Sequence, residues 1–264
     1  MLGYVCKYTP MELFEAMDTE ITRLEPSVTD FNHADTLMHA NICSYTKAVL
    51  EDVMAHDYEG VILTTCCDSI RRLYDTLKSQ FPDKFFFLLD IPRKFNDFAV
   101  ALYERQLKQM LTEYEAFSGK TLDLKRFVSM MQNKAALKKQ ENTRMSASAV
   151  SEKGNGQKLN IGIMGARCNN EIRQLLVDRG ANLLFDLTCT GLARDFSITE
   201  DQILHSYAAA LLNQIPCMRM LKAANREHFL DGFTDRLDGI IYHTVKFCDS
   251  YSYAVSYTHL TLPT

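Results

Sequence analysis

Short, continuously apolar segments alternate with helix-forming segments along this chain, and this alternation constrains the fold more than any other feature. The apolar segments are residues 60–65, 84–90, 159–165, 182–187 and 238–245. Helical periodicity predicts helices over residues 44–54, 68–74, 96–117, 171–178 and 201–212. Strands that are apolar throughout are typical of parallel sheets covered by helices on both faces. The sequence therefore predicts an α/β fold.

A polar stretch interrupts this alternation near the middle of the chain. Residues 146–156 are small, polar and glycine-containing, which is typical of a linker. We therefore expect two domains, over residues 1–145 and 157–254, with a cleft between them. In both halves an apolar strand leads to Cys-Asp-Ser, beginning at Cys67 and at Cys248, which is compatible with a duplicated unit.

Composition argues against several classes of protein. The 264 residues carry a net charge of −4, with a pI near 6.0, and show no basic field of the kind that binds nucleic acid. No apolar run approaches the roughly 18 residues that cross a bilayer. The first residues lack the basic and apolar regions of a secretion signal. We expect a cytoplasmic protein that does not enter the membrane.

The eight cysteines need an explanation in a reducing compartment, where disulfides are not the default. Buried apolar thiols, reactive thiols and metal ligands all remain open. Cys43 and Cys67 each precede a predicted helix, whose N-terminal partial charge favours the thiolate that binds metal. Cys67 and Cys248 follow strands, at the sheet edge where α/β proteins bind ligands. The spacing itself is uninformative, because no Cys-x-x-Cys occurs.

Several segments, in the same order from residue 3 to about residue 253, resemble the 2-hydroxyacyl-CoA dehydratase family. The opening Gly-aromatic-x-Cys-x-Tyr-x-Pro-x-Glu-Leu motif, the three ligand segments and the family's Leu-Asp-Leu-Pro-Arg motif are matched at residues 3–13, 41–43, 65–75, 89–93 and 246–251. Each motif alone is weak, and their shared order makes the resemblance strong. One departure is Ser44, which stands where the family has proline after its first ligand.

The resemblance implies a [4Fe-4S] cluster bound by Cys43, Cys67 and Cys248 between two Rossmann-like domains. Cys66 competes with Cys67 for the second position, but the aspartate after Cys67 favours Cys67. No catalytic side chain is assigned. The four remaining cysteines acquire no ligand role and are expected to be packing or loop thiols; they are Cys6, Cys168, Cys189 and Cys217.

The resemblance also implies a reaction, in which an (R)-2-hydroxyacyl-CoA loses water through a ketyl radical. Three protein thiolates leave one iron open to the thioester carbonyl. An ATP-dependent activator protein would supply the electron, and a second dehydratase subunit or a homodimer would complete the assembly. One alternative is a reductase with a double-cubane cluster. Another is a non-catalytic electron-transfer subunit that binds a cluster.

The last ten residues depart from the family. Residues 255–264 resemble translated sequencing-adaptor read-through, so we expect an artefactual tail and a C-terminal domain that is truncated.

Overall fold

The structure, a computed structural model, describes most of the chain. The described residues are 1–28, 30–148, 159–168, 170–189, 198–217, 219–221, 223–248 and 251. Most of the predicted linker and the whole of residues 255–264 lie outside them. Residues 146–148 of the predicted linker form the end of a helix. The division into two domains and the artefactual tail therefore stay predictions.

The first part of the chain forms a parallel sheet flanked by helices. Its strands and helices are β1 (Leu2–Tyr4), α1 (Met11–Ala16), β2 (Ile21–Arg23), α2 (Asn32–Leu37), α3 (Ser44–Ala55), β3 (Gly60–Thr64), α4 (Asp68–Gln80), β4 (Phe85–Leu89), α5 (Asp97–Ser118) and α6 (Leu124–Ser148). The strand order is β2-β1-β3-β4 and every pairing is parallel. The carboxyl ends of all four strands therefore lie at one edge.

The second part forms another parallel sheet. Its elements are β5 (Asn160–Gly165), α7 (Asn170–Asp178), β6 (Asn182–Thr188), a short 3₁₀ turn (Glu200–Gln202), α8 (Ile203–Asn213), α9 (Ala223–Asp231) and β7 (Gly239–His243). The order is β6-β5-β7, again parallel throughout. The mixed α/β fold with parallel sheets is thus confirmed. None of the described helices is long and apolar enough to cross a membrane.

Apolar side chains cover both faces of the first sheet. Val61 and Leu63 of β3 point to the side of α3 and α4, where they pack with Leu73. Ile62 points to the opposite side, which α5 covers through Leu107. This alternation within a wholly apolar strand explains why β3 is buried at every position.

Helix α8 joins the second part of the chain to the core of the first. Its residues Tyr207, Ala208 and Leu211 are completely buried in the same cluster as α5. The Tyr207 ring meets Phe127 of α6 edge to face, with ring centres 5.1 Å apart. Helix α8 lies within the predicted C-terminal domain, yet it buries its apolar face against the N-terminal elements. This packing brings the loop after α8 to the edge of the first sheet.

Candidate functional site

A cavity at the carboxyl ends of the strands gathers most of the cysteines. Seven of the eight line it, and they are Cys6, Cys43, Cys66, Cys67, Cys189, Cys217 and Cys248. Its volume is about 110 Å³, whereas one water needs only roughly 10–15 Å³ on that measure. No disulfide joins any of these thiols. The cavity therefore has room for a ligand larger than a few waters, surrounded by sulfur donors.

The three predicted ligands reach the cavity from three different loops. Cys43 is the N-cap residue of α3, and Cys67 is the N-cap residue of α4. Cys248 follows β7 in a turn, in which its N–H donates to the carbonyl of Val245. Cys43 and Cys248 are both close enough to raise the pKa of Cys67 electrostatically. The structure thus brings all three together, although nothing in it tests whether they bind metal.

The pKa values of Cys66 and Cys67 are shifted in opposite directions. A side-chain hydrogen bond from Cys66 lowers the pKa of the Cys67 thiol, more than burial raises it. The pKa of Cys66 is raised well above its usual value, first by that hydrogen bond and then by burial. Cys67 is therefore the thiol of this pair that ionises first, which favours it as the nucleophile or ligand.

Cys6, Cys189 and Cys217 line the cavity together with two buried tyrosines, Tyr8 and Tyr251. Burial, followed by repulsion from Cys66 and Cys217, raises the pKa of Cys6 to about 12. Burial also raises the pKa of Cys189, whose Sγ lies 2.8 Å from the hydroxyl of Tyr251. The hydroxyl of Tyr8 accepts a hydrogen bond from the N–H of Cys217. The thiols of Cys6 and Cys189 therefore stay protonated on their own, and a metal ion would change that.

The sequence alone assigned Cys6, Cys189 and Cys217 to packing or to loops. A signal that points to the cavity was nevertheless present in the strand pattern. Cys6 and Cys66 stand two residues beyond β1 and β3, and Cys189 directly follows β6. Ligands bind at the carboxyl ends of parallel strands, so each position qualifies. Cys168 is different, because it is completely buried and is not among the residues that line the cavity.

Three cationic side chains also line the cavity. Lys7 donates to the carbonyl of Ile215, at 2.5 Å. Arg167 and Arg219 both come from the second part of the chain and donate to backbone carbonyls that follow strands of the first sheet. A thiol-lined cavity with cations in its wall is suited to an anionic ligand.

The thiols of the cavity match the donor type that iron–sulfur clusters take. No group of three or more His, Cys, Asp or Glu side chains within the described residues is placed to hold one metal ion. An iron–sulfur cluster makes a different demand, because each thiolate binds a separate iron around a shared volume. Cys43, Cys67 and Cys248 border one such volume, and soft thiolates are the donors that these clusters take. The donor set therefore fits a cluster.

Comparison with known families decides the identity of the chain. The sequence model of the family described as 2-hydroxyglutaryl-CoA dehydratase, D-component, matches residues 6–142 and residues 128–262. The chain belongs to this family. No curated protein matches the sequence. The second matched segment passes Tyr253, where the resemblance noted above ends.

Membership of the dehydratase D-component family confirms the resemblance drawn from the short motifs. The family name describes one component of a dehydratase, which implies a partner component. The matched segments contain all seven cysteines that line the cavity. The identity of the cofactor, the reaction and the ligands does not follow from the family name, and these stay proposals.

Proposed function

We propose that this chain is the iron–sulfur subunit of a 2-hydroxyacyl-CoA dehydratase, with a [4Fe-4S] cluster held by Cys43, Cys67 and Cys248. One observation carries the proposal: three thiols from loops far apart in the sequence line a single cavity. The proposal includes two Rossmann-like domains around the cavity, a partner subunit or homodimer, and an ATP-dependent activator protein.

The chain's own residues would prepare this site. Cys43 and Cys67 stand at helix N-termini, whose free N–H groups could donate to the sulfur atoms of a bound cluster. Cys66 donates its hydrogen bond to Cys67 and so favours the thiolate there. The apolar wall, which includes Val5, Ile70 and Val245, limits the access of water. When bound, the cluster would supply the single electron with which the family's reaction expels the hydroxyl group.

Ligand variants test this assignment directly. We expect the wild-type protein, reconstituted anaerobically with iron and sulfide, to bind about four irons per chain. Serine is harder to deprotonate and is a poor match for iron–sulfur chemistry. Cys43→Ser, Cys67→Ser and Cys248→Ser should therefore each lose most of the iron. The absorbance band of thiolate-to-iron charge transfer should disappear with it.

Cys168→Ser is the matched control, because Cys168 is buried but lies outside the cavity. It should bind as much iron as the wild type. Equal loss of iron in the control would indicate general unfolding. Full iron in Cys67→Ser together with loss in Cys66→Ser would transfer the ligand role to Cys66. Full iron in all three ligand variants would refute the proposal.

A double-cubane reductase is the second candidate, and the additional thiols favour it. Cys6, Cys66, Cys189 and Cys217 border the same cavity as the three predicted ligands and act on one another electrostatically. Seven thiols exceed what one cluster with three ligands requires. If a second cubane is held in the same chain, reconstitution should give about eight irons per chain instead of about four. Cys189→Ser and Cys217→Ser would then each lower the iron content by about half.

A further inference from the structure

Two arginines from the second part of the chain donate hydrogen bonds to backbone carbonyls at the carboxyl edge of the first sheet. Arg167 donates through Nη1 to the carbonyl of Val5, at 3.0 Å, and through Nη2 to that of Leu24. These carbonyls directly follow β1 and β2. Arg219 donates through Nη2 to the carbonyls of Thr65 and Ile91, both at 3.0 Å. These follow β3 and β4, so the two guanidinium groups together cover the ends of all four strands.

The two arginines differ in how their charge is balanced. Nη2 of Arg167 lies 4.0 Å from a carboxylate oxygen of Glu25, and its guanidinium stacks over the ring of Tyr45, 4.3 Å from the ring centre. Arg219 has no carboxylate within 4.0 Å among the residues that the structure describes. The side chain of Arg219 is partly buried, and a charge in such a place without a counter-ion has a desolvation cost that an anion in the cavity would offset.

The guanidinium of Arg219 also has unused hydrogen-bonding capacity. Its Nε is buried and has no hydrogen-bond partner among the described residues, and the side chain lines the cavity beside the thiols. It is close enough to Cys66 to act on that thiol electrostatically. Arg219 is thus anchored by Nη2 to the sheet, while its side chain borders the cavity. An anion in the cavity would balance its charge.

We propose that Arg219 is a positioning residue that places a positive charge beside an anionic, sulfur-rich group in this cavity. The inference rests on the proposed function, because the iron–sulfur cluster with its thiolates is that anion. Positive charge and hydrogen bonds to sulfur stabilise the more reduced, more negative state of a cluster. Arg219 therefore raises the reduction potential of the cluster, whereas Arg167, paired with Glu25, serves mainly to dock the two parts of the chain.

The reduction potential of the reconstituted protein tests this role. Arg219→Met removes the charge and the docking bonds, and Arg167→Met removes docking bonds of the same kind. We expect the midpoint potential of Arg219→Met to become more negative than that of the wild type. Arg219→Lys keeps the charge, so its midpoint potential should be close to that of the wild type. The midpoint potential of Arg167→Met should also change little. Equal potentials in Arg219→Met and the wild type would overturn the inference.

A measurement on the metal-free protein covers variants that hold no cluster. An unpaired cation among thiols should speed the reaction with a dianionic aromatic disulfide relative to a neutral one of similar size. We expect the ratio of the two rates to fall several-fold in Arg219→Met but not in Arg219→Lys or Arg167→Met. An unchanged ratio in Arg219→Met would again overturn the inference. A wild type that takes up no iron would instead refute the proposed function, so the two failures are distinguishable.

Discussion

Cys66 and Cys67 are joined by a side-chain hydrogen bond that separates their acidities, lowering the pKa of Cys67 and raising that of Cys66. Adjacent residues in an extended chain usually point in opposite directions. Here both thiols line the same cavity, because the chain turns from β3 into α4 at this point. One thiol thus acts as a donor and the other as the group that ionises.

The first prediction concerns the reactivity of this pair in the metal-free protein. A thiol reacts as the thiolate, so Cys67, with its lowered pKa, should be alkylated at lower pH than Cys66. Cys66→Ala removes the donor and should move the alkylation of Cys67 to higher pH. Cys66→Ser retains a hydroxyl donor and should cause a smaller shift. Mass-spectrometric mapping of alkylated peptides across a pH series measures this, and the reverse order of reaction would contradict it.

The second prediction concerns the docking of α8 against the first part of the chain. The hydroxyl of Tyr207 donates to the carboxylate of Glu12 at 2.5 Å, and both side chains are buried. Hydrogen bonds to charged groups contribute about 1.5–3 kcal/mol, compared with about 0.5–1.5 kcal/mol between neutral groups. Tyr207→Phe should therefore lower the free energy of unfolding by about 1.5–3 kcal/mol.

Tyr103→Phe is the matched control for that measurement. Tyr103 is equally buried, and its hydroxyl donates at 2.5 Å to the neutral carbonyl of Tyr8. Urea titrations of the two variants should show the larger loss for Tyr207→Phe. Equal losses would mean that the charge of Glu12 adds nothing to the contact between α8 and α1.

The third prediction concerns the turn after β5, beside the cavity. Gly165 has a φ of +107°, and a Cβ at this position would lie 2.1 Å from the carbonyl oxygen of His243 in β7. Gly180 has a φ of +80°, but a Cβ there would meet nothing within 4 Å. Gly180→Ala should therefore lower the free energy of unfolding only by the cost of backbone strain, about 1–2 kcal/mol. Gly165→Ala should lower the free energy of unfolding, measured in urea, by more than this, since the new Cβ also forces β5 and β7 apart.

The elements that could be predicted from the sequence are those with strong local patterns. Strands β3 and β4 are apolar throughout, and α4 keeps Ile70, Leu73 and Leu77 on one face, so burial could be inferred for them. Strand β2 was missed because it has only three residues, all half-buried. Helix α2 was missed for a similar reason, since only one of its six residues is buried.

The convergence of the site depended on information that no local pattern contains. Cys43 and Cys67 could be placed at helix starts, and both are N-cap residues as predicted. The order of strands within a parallel sheet is not written in their spacing, so the gathering of seven thiols in one cavity could not be foreseen. The contact of Tyr207 with Glu12 joins positions 195 residues apart, and it brings Cys217 to the cavity.

The fourth prediction follows from the thiols at the two helix starts. Serine is among the best N-cap residues, and replacing a good cap typically costs about 1 kcal/mol of stability. Cys43 makes no side-chain capping hydrogen bond to α3, and at Cys67 only a weakly accepting sulfur faces the N–H of Ile70, a contact that lowers the pKa of Cys67. The sequence therefore has a thiol at each of these positions where a hydroxyl would stabilise the helix better.

Cys67→Ser should accordingly have opposite effects on stability and on metal binding. We expect the metal-free variant to unfold at higher urea concentration than the metal-free wild type, by about 0.5–1 kcal/mol, because the hydroxyl caps α4. The same variant should fail to bind iron. Cys6→Ser is the comparison, since Cys6 lines the same cavity in a turn, where its carbonyl accepts from the N–H of Thr9, and is not the N-cap residue of a helix. It should not become more stable. If Cys67→Ser instead destabilises the metal-free protein as much as Cys6→Ser does, the thiol at this helix start contributes to stability through packing, and a serine cap would not stabilise α4.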